Sequence, residues 1–413
     1  MEIWIISLYF NQENFIASQR VKRFSRYLSK KHKLKIFTTN ISANRVSKKN
    51  KIEIINSEIF CKDYIFRNYN DVNKITKSNI FPKIISKIVG DSGWLWYWQL
   101  KNSVFKEIKK SGKPDLIIAS GSPFIPFYLC YELKTKFKIP YLLDYRDAWS
   151  NNPARYRSKS IFKIVPKIIE STVNKKAKYI ISVSNSTLVG ILETKAKIVI
   201  YNLPDKKYIN YLRSLSNNIN VNKGILRLSL TGTLYHYQTL DSICIAISNL
   251  DPILRKKIIL DYCGSSWRYV DFIFEQYKIK NNLKNHRFIS KERAIKVLAK
   301  SDIAISIISC LRGESDKTIK GEITTKIFDY IALGKNIINL SFDDYEIIEL
   351  LKKIEYKNLL NIEPNNTNKL KELFEIAIKE KKKFKKIKIF GSNTIKGLLK
   401  ESKKNISQLE EIL

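Results

Sequence analysis

The stretch GEITTKIFDYIALGKNIINL, residues 321–340, carries the clearest chemical signal in the chain. Ile327, Tyr330 and Ile331 recur at helical packing spacing, and residues 336–340 read as a strand. Asp329 follows Lys326 by three positions, which puts both on neighbouring parts of one helix surface. A helix start that faces a loop offers unpaired N–H groups and the positive end of a dipole, a setting that favours phosphate. There Lys326 would add a point charge to a diphosphate, and Asp329 would accept hydrogen bonds from ribose hydroxyls. A second polar cluster, Asp144, Arg146 and Asp147, stands at the end of the strand expected over 141–144. Metal and disulfide chemistry find no comparable spacing. His32, His236 and His286 are far apart, and the five cysteines occur singly with no CxxC pair.

Such side chains need elements to hold them, and short apolar runs alternate with helical patterns along the whole chain, the mark of parallel sheets covered by helices. In the first half strands are expected over 3–8, 34–39, 115–119, 141–144, 179–183 and 198–201. A helix is expected from Ser18 to about Lys30, with Val21, Phe24 and Leu28 on one face and Ser18 as N-cap. The polar run NNINVNKG at 217–224 reads as a linker, after which strands return at 226–230, 258–262, 303–308 and 336–340. The organisation is α/β, with two doubly wound Rossmann-like domains facing a central cleft. The first spans 1–205, a linker 206–225, the second 226–385, and a C-terminal helical segment at 386–413 packs back on the first. Ligands of such sheets bind at the carboxyl ends of the strands.

The 413 residues hold 75 Lys and Arg against 38 Asp and Glu, a formal charge of +37, with 44% hydrophobic residues. That profile excludes a disordered or collagen-like chain. A nucleic-acid binder is disfavoured because the lysines are spread throughout and no compact nucleic-acid signature appears. The apolar run 3–10 lacks the basic flank of a secretory signal, and no segment has the roughly 18 apolar residues of a membrane span. A cytoplasmic protein attached to the inner face of the membrane is expected. Three segments could make that attachment. GWLWYWQL at 93–100 is either core packing or a lipid contact, KEKKKFKKIK at 379–388 is either a solvated run or an electrostatic anchor, and 158–169 carries Lys159, Lys163 and Lys167 at four-residue spacing.

KIFDYIALGKNI resembles the K-[LI]-F-E-Y-[LM]-A-x-G-[KR]-P-I segment of glycosyltransferase family four, retaining enzymes of the GT-B fold. PYLLDYRDAWS at 140–150, YIISVSNS with IVIYNLPD, LSLTGTLYHYQTLDSI at 228–243, KPDLIIASGSP at 113–123 and SDIAISII at 301–308 resemble further family motifs in the same order. The resemblance covers nearly the whole chain. It implies transfer of a sugar from a nucleotide-diphosphate sugar, held by the second domain, to a glycan or lipid-linked acceptor held by the first, with no metal or other cofactor and no nucleic-acid partner. Bacterial surface polysaccharide is the expected product.

Residue by residue, Asp329 falls on the second acid of the family's paired-glutamate pattern, where the ribose binds. The first acid would fall on Gly321, and Glu322, one step on, is its substitute. The family's diphosphate-clamping Arg or Lys has no clear equivalent in the loop that carries Gly232 and Thr233; His236 or Gln238 takes its place, with Lys326 a better cation than Arg312. In the first domain Ala17 and Ser18 are small enough for close approach to sugar or phosphate, and Arg20 matches a recurrent family arginine. Asp144, Arg146 and Asp147 form the catalytic group, with Asp147 orienting or deprotonating the acceptor hydroxyl. Two alternatives share the fold. A sugar-nucleotide epimerase needs acid and base groups on both faces of the sugar, and a degenerate binding protein would explain the missing first acid and clamp.

Overall fold

The computed structural model describes residues 1–11, 16–39, 51–59, 84, 86, 88–91, 93–152, 161–188, 191, 196–216, 224–310, 323–342, 345–380 and 392–413. The chain divides into two compact units, one of Met1–Asn202 with Lys404–Leu413, the other of Leu203–Lys403.

The first unit holds β1 (Glu2–Ile6), α1 (Ile16–Leu28), β2 (Lys33–Thr39), β3 (Ile52–Ser57), α2 (Trp94–Ser111), β4 (Leu116–Gly121), α3 (Ile125–Phe137), β5 (Tyr141–Tyr145), α4 (Ile164–Lys176), β6 (Tyr179–Ser182) and β7 (Lys197–Val199). Its seven strands are parallel in the order β3-β2-β1-β4-β5-β6-β7. Central strands such as β4 and β5 are buried along their whole length, as a sheet covered on both faces requires. One face packs Trp4, Ile6 and Leu143 against α2, α3 and α4. The other packs Ile3, Ile5 and Leu142 against Val21, Phe24 and Leu28 of α1. Ser18 lies within α1, where its hydroxyl donates to the Phe10 carbonyl at 2.7 Å, so it is not the expected N-cap.

The second unit holds α5 (Lys206–Ser216), β8 (Leu226–Thr231), α6 (Asp241–Ser248), the single turn α7 (Pro252–Arg255), β9 (Ile258–Cys263), α8 (Trp267–Gln276), β10 (Leu283–Asn285), α9 (Lys291–Lys300), β11 (Ile303–Ile307), α10 (Lys326–Leu333), β12 (Asn336–Leu340), α11 (Glu346–Lys353), β13 (Leu359–Ile362) and α12 (Thr367–Lys379). Its six parallel strands run β10-β9-β8-β11-β12-β13. The span expected as linker therefore contains a helix, α5, whose Ile209 and Leu212 are fully buried. The last helix, α13 (Ser392–Ile412), begins in the second unit, and its end belongs to the first, where Ile406, Leu409 and Ile412 join the α1 side of the core.

In each sheet the strand order reverses at one place, between β1 and β4 in the first and between β8 and β11 in the second. Those reversals open a crevice beyond the strands' carboxyl ends.

Candidate functional site

At the reversal in the second unit, β8 ends on Thr231 and the chain turns through Gly232, whose φ of +95° favours glycine. The Gly232 amide donates to the Cys263 carbonyl at 2.7 Å, and its own carbonyl accepts from the Tyr262 hydroxyl at 2.7 Å. Two close approaches leave no room for side chains here. A Cβ on Gly264 would lie 2.0 Å from the Gly232 oxygen, and one on Gly232 would lie 2.1 Å from Lys326 Nζ. The Lys326 ammonium, at the first position of α10, is thus seated against the Gly232 turn. Beside it the Thr233 and Ser265 hydroxyls pair at 2.7 Å, and Ser266 Oγ bonds both the amide and the carbonyl of Leu234. A glycine turn, a lysine and the starts of α8 and α10 therefore meet at the ends of β8 and β9, a setting of positive potential suited to phosphate oxygens.

Asp329, one turn into α10, accepts from the Tyr208 hydroxyl at 2.9 Å. Burial pushes its carboxyl above the ordinary value, while the nearby Lys291 ammonium, the Tyr208 bond and Lys326 pull it down. Lys291 Nζ lies 4.7 Å over the Tyr208 ring, and burial together with Asp329 holds the Tyr208 phenol well above its ordinary value. Tyr208 comes from α5, so the sequence reading of that span as linker overlooked a partner of Asp329.

The other expected donor residues divide. Thr233 and His236 are exposed. Gln238 is buried and committed to the fold: Nε2 donates to the carbonyls of Ile307 and Ile308 at 2.9 and 3.2 Å, and Oε1 accepts from the Tyr235 amide. With both amide functions occupied, Gln238 cannot replace a phosphate clamp. Glu322 and Arg312 lie outside the described residues.

In the first unit the expected catalytic group separates into three roles. Asp144 is fully buried, and its carboxylate takes the Arg20 guanidinium at 2.6 Å and the Ser120 hydroxyl at 2.7 Å. Arg20 spends its remaining donors on the Ile200 carbonyl at 2.5 Å and Asn202 Oδ1 at 2.9 Å. The pair ties α1 to β5 and the chain after β7. It leaves neither group available to a substrate. Arg146 donates through Nε to the Gly121 carbonyl at 3.0 Å and also bonds the Ser122 carbonyl. Burial lowers its pKa, against the opposing field of Asp147. Asp147 is exposed and makes no hydrogen bond or ion pair among the described residues. The side chain of Ala17 lies outside the described set.

No model of a known protein family matches the chain, and no curated protein sequence does. Solved structures do. Sucrose-phosphate synthase from Thermosynechococcus elongatus aligns with a TM-score of 0.65 at 11% identity, over 100% of this chain and 98% of that one. The E. coli trehalose-6-phosphate protein bound with UDP-2-fluoro glucose gives 0.63 at 9%, and Anabaena HepE in complex with UDP gives 0.60 at 12%, each over 100% of both chains. The fold is GT-B. At these identities the likeness is one of architecture, two Rossmann-like domains with parallel sheets, as the sequence led one to expect.

The GT-B chain also uses groups that sequence reasoning passed over. Asp91 is buried, and its carboxylate accepts the amides of Gly93, Phe124 and Ile125, capping the start of α3. Trp267, at the first position of α8, has the guanidinium groups of both Arg268 and Arg287 over its ring, each 5.0 Å from the ring centre. Among the described residues no three His, Cys, Asp or Glu side chains converge as a metal ion would need.

Proposed function

We propose that this GT-B protein is a retaining glycosyltransferase of the family-four kind, which moves a sugar from a nucleotide-diphosphate sugar to a glycan or lipid-linked acceptor in bacterial surface polysaccharide assembly. The observation that carries the reading is the seating of the Lys326 ammonium on the Gly232 turn, at the strand reversal of the second unit. A diphosphate placed there meets a fixed cation and backbone N–H groups, so charge that develops on it as the sugar leaves is stabilised without reorganisation. Asp329 lies one turn further along the same helix, where it would receive the ribose hydroxyls, with Tyr208 holding its orientation. The motif order along the chain and the UDP-bound structures of similar fold support the same donor class.

In this reading the first unit supplies the acceptor side. Asp147, exposed beside Arg146, orients or deprotonates the acceptor hydroxyl; Asp144 and Arg20 build the ground it stands on. The proposed reaction uses no metal, and the proposed setting is the cytoplasmic face of the membrane. A binding protein without turnover is the second reading, favoured by the engagement of Asp144, Arg146 and Asp329 inside the fold. Hydrolysis or transfer of a radiolabelled nucleotide sugar separates the two.

The donor assignment is tested by thermal shift with uridine, guanosine, adenosine and thymidine diphosphates. A ligand present at a hundred times its Kd adds roughly 2.7 kcal/mol to the stability of the state that binds it. At least one nucleotide should raise the melting temperature, and Lys326→Ala should remove most of that rise. No rise with any of them would overturn the assignment.

A further inference from the structure

Helix α4 is built inside out at its start. A helix on a protein surface buries apolar residues at i, i+3, i+4 and i+7 and turns its polar face to water. The 3-10 turn Ile161–Lys163 and the first turns of α4 have that spacing in Ile161, Ile164, Val165 and Ile168. These four are exposed by 73, 58, 40 and 60%. The face turned to the core instead carries Pro166, Glu170, Val173 and Asn174. Pro166 sits in the first turn, where a missing N–H costs nothing, so the stripe continues past it unbroken. Glu170 finds its partners in the Ser150 amide and hydroxyl, and Asn174 accepts from the Tyr145 hydroxyl at 2.8 Å. The buried side is therefore held by these polar bonds together with Val173 and Ile169, which pack into the core beneath, and the exposed aliphatic stripe is not part of that contact.

The chemistry around the stripe selects the occupant. Helix α4 packs beside α3, and α3 beside α2, in one layer over the sheet. Together with the 3-10 turn, the three helices carry ten lysines and three glutamates. All three glutamates are engaged: Glu107 with Lys35 at 2.7 Å, Glu132 with Lys101 at 3.0 Å, and Glu170 with Ser150. The layer thus faces outward with a strong excess of positive charge. Lysine is depleted at protein–protein contacts, which favour Arg, Tyr and Trp anchors; aliphatic side chains ringed by lysine are instead the composition of a helix lying in a lipid headgroup layer. Lysine stems can cover apolar surface while the ammonium stays at the phosphates.

We propose that the Ile161–Ile168 stripe of the first unit is a docking surface for an anionic lipid bilayer, in which the four aliphatic side chains enter the headgroup region and the exposed Lys167 meets lipid phosphates. The attachment is independent of the transfer reaction, since none of these residues belongs to the donor site. Buried CH₂ groups and several lysines near the surface act together in such binding, and the charged part weakens with salt.

The test is flotation of the full chain with vesicles of phosphatidylcholine alone or mixed with phosphatidylglycerol. The wild type should float with the mixed vesicles at low salt and not with phosphatidylcholine alone. Ile164→Ser/Ile168→Ser should weaken binding at least tenfold with an unchanged melting temperature, and Lys167→Gln should weaken it at low salt only. Unchanged flotation of the isoleucine variant would overturn the proposal, since the overall charge would then suffice. So would a wild-type dimer in gel filtration that the isoleucine variant breaks, which would make the stripe a contact between copies. Nucleotide thermal shift on the same variant should match the wild type, so a failure here leaves the donor-site reading untouched.

Discussion

Gly232 and Lys326 form a unit because the turn lacks a side chain. Any Cβ at position 232 must displace the ammonium it would lie against, and the positive φ adds strain of its own. Gly232→Ala should therefore lower nucleotide affinity at least tenfold while the protein remains folded, as titration calorimetry beside circular dichroism would show. Asp144 and Asp147 should behave in opposite ways, although both came from one sequence cluster. Asp144→Asn leaves Arg20 buried opposite a neutral partner, and breaking such a pair costs about 3–5 kcal/mol. Asp147→Asn, on an exposed residue, should leave stability unchanged and, if the carboxylate serves the acceptor hydroxyl, lower turnover by roughly a hundredfold or more. Urea melts paired with a transfer assay would separate the two effects, and an equal loss of stability and turnover in both would remove Asp147 from the reaction. Lys326 and Asp329 could be picked out in the sequence because they sit on a strongly periodic helix. Residue type alone did not reveal that Gln238, Asp144 and Arg146 spend their bonding capacity on backbone and buried partners. Nor could it reveal Tyr208, whose hydroxyl finds Asp329 121 positions away.

At the scale of elements, strands flanked on both sides are fully buried and stood out as continuous apolar runs, as β4, β5 and β11 illustrate. Three strands went unrecognised, β3, β10 and β13, and all three are sheet edges, half-buried or short and polar. Helix α5 was hidden by the polar run that follows it, although Tyr208, Ile209 and Leu212 keep helical spacing. The tryptophan segment resolved mostly into packing. Trp96 is fully buried and donates to Ser57 Oγ at 2.7 Å, while Trp98 is exposed, so replacing Trp96 would damage the core rather than probe a membrane. Residues 381–388 of the basic run, and Lys159, lie outside the described residues. Within α4, burial raises the Glu170 carboxyl above its ordinary 4.5, opposed by its bonds to Ser150 and Tyr145. The native state then binds that proton more tightly than the unfolded chain. Its contribution to stability is fully present below 4.5 and is lost as pH rises through the native value. Glu170→Gln removes this slope while keeping an oxygen for Ser150. Urea melts at pH 5 and pH 8 should therefore show the variant gaining on the wild type as pH rises, by about 1.4 kcal/mol for each tenfold by which folding tightens the carboxyl's hold on its proton. A wild type that instead grows more stable over that range relative to the variant would reverse the sign of the argument.

At the scale of the whole chain, +37 charges are compatible with a fold because each unit encloses a dense aliphatic core, and among the described residues the one buried lysine, Lys335, gives its ammonium to the Ala299 and Ser301 carbonyls at 2.6 and 2.7 Å. No helix among the described residues is long and apolar enough to cross a membrane, so attachment would rest on surface groups such as the α4 stripe. The two-unit organisation was legible from the restart of the strand pattern near residue 226, but the division falls at Asn202 and Leu203, because α5 packs with α9 and α10. The return of the chain's end to the first unit has a testable consequence. Leu409 and Ile412 pack into a core shared with Ile3, Ile5 and Leu116, while Glu410 pairs with Lys31 at 3.2 Å and the Leu413 carbonyl accepts from Lys178. The exposed ion pair adds little, so the apolar contacts hold this end in place. Leu409→Ala empties a fully buried site and should cost about 2–5 kcal/mol. That loss belongs to the first unit's core alone. Native-state hydrogen exchange should accordingly quicken in β1 and β2 while the amides of β8 and β9 keep their wild-type protection, whereas equal acceleration in both sheets would mean that the two units unfold as one.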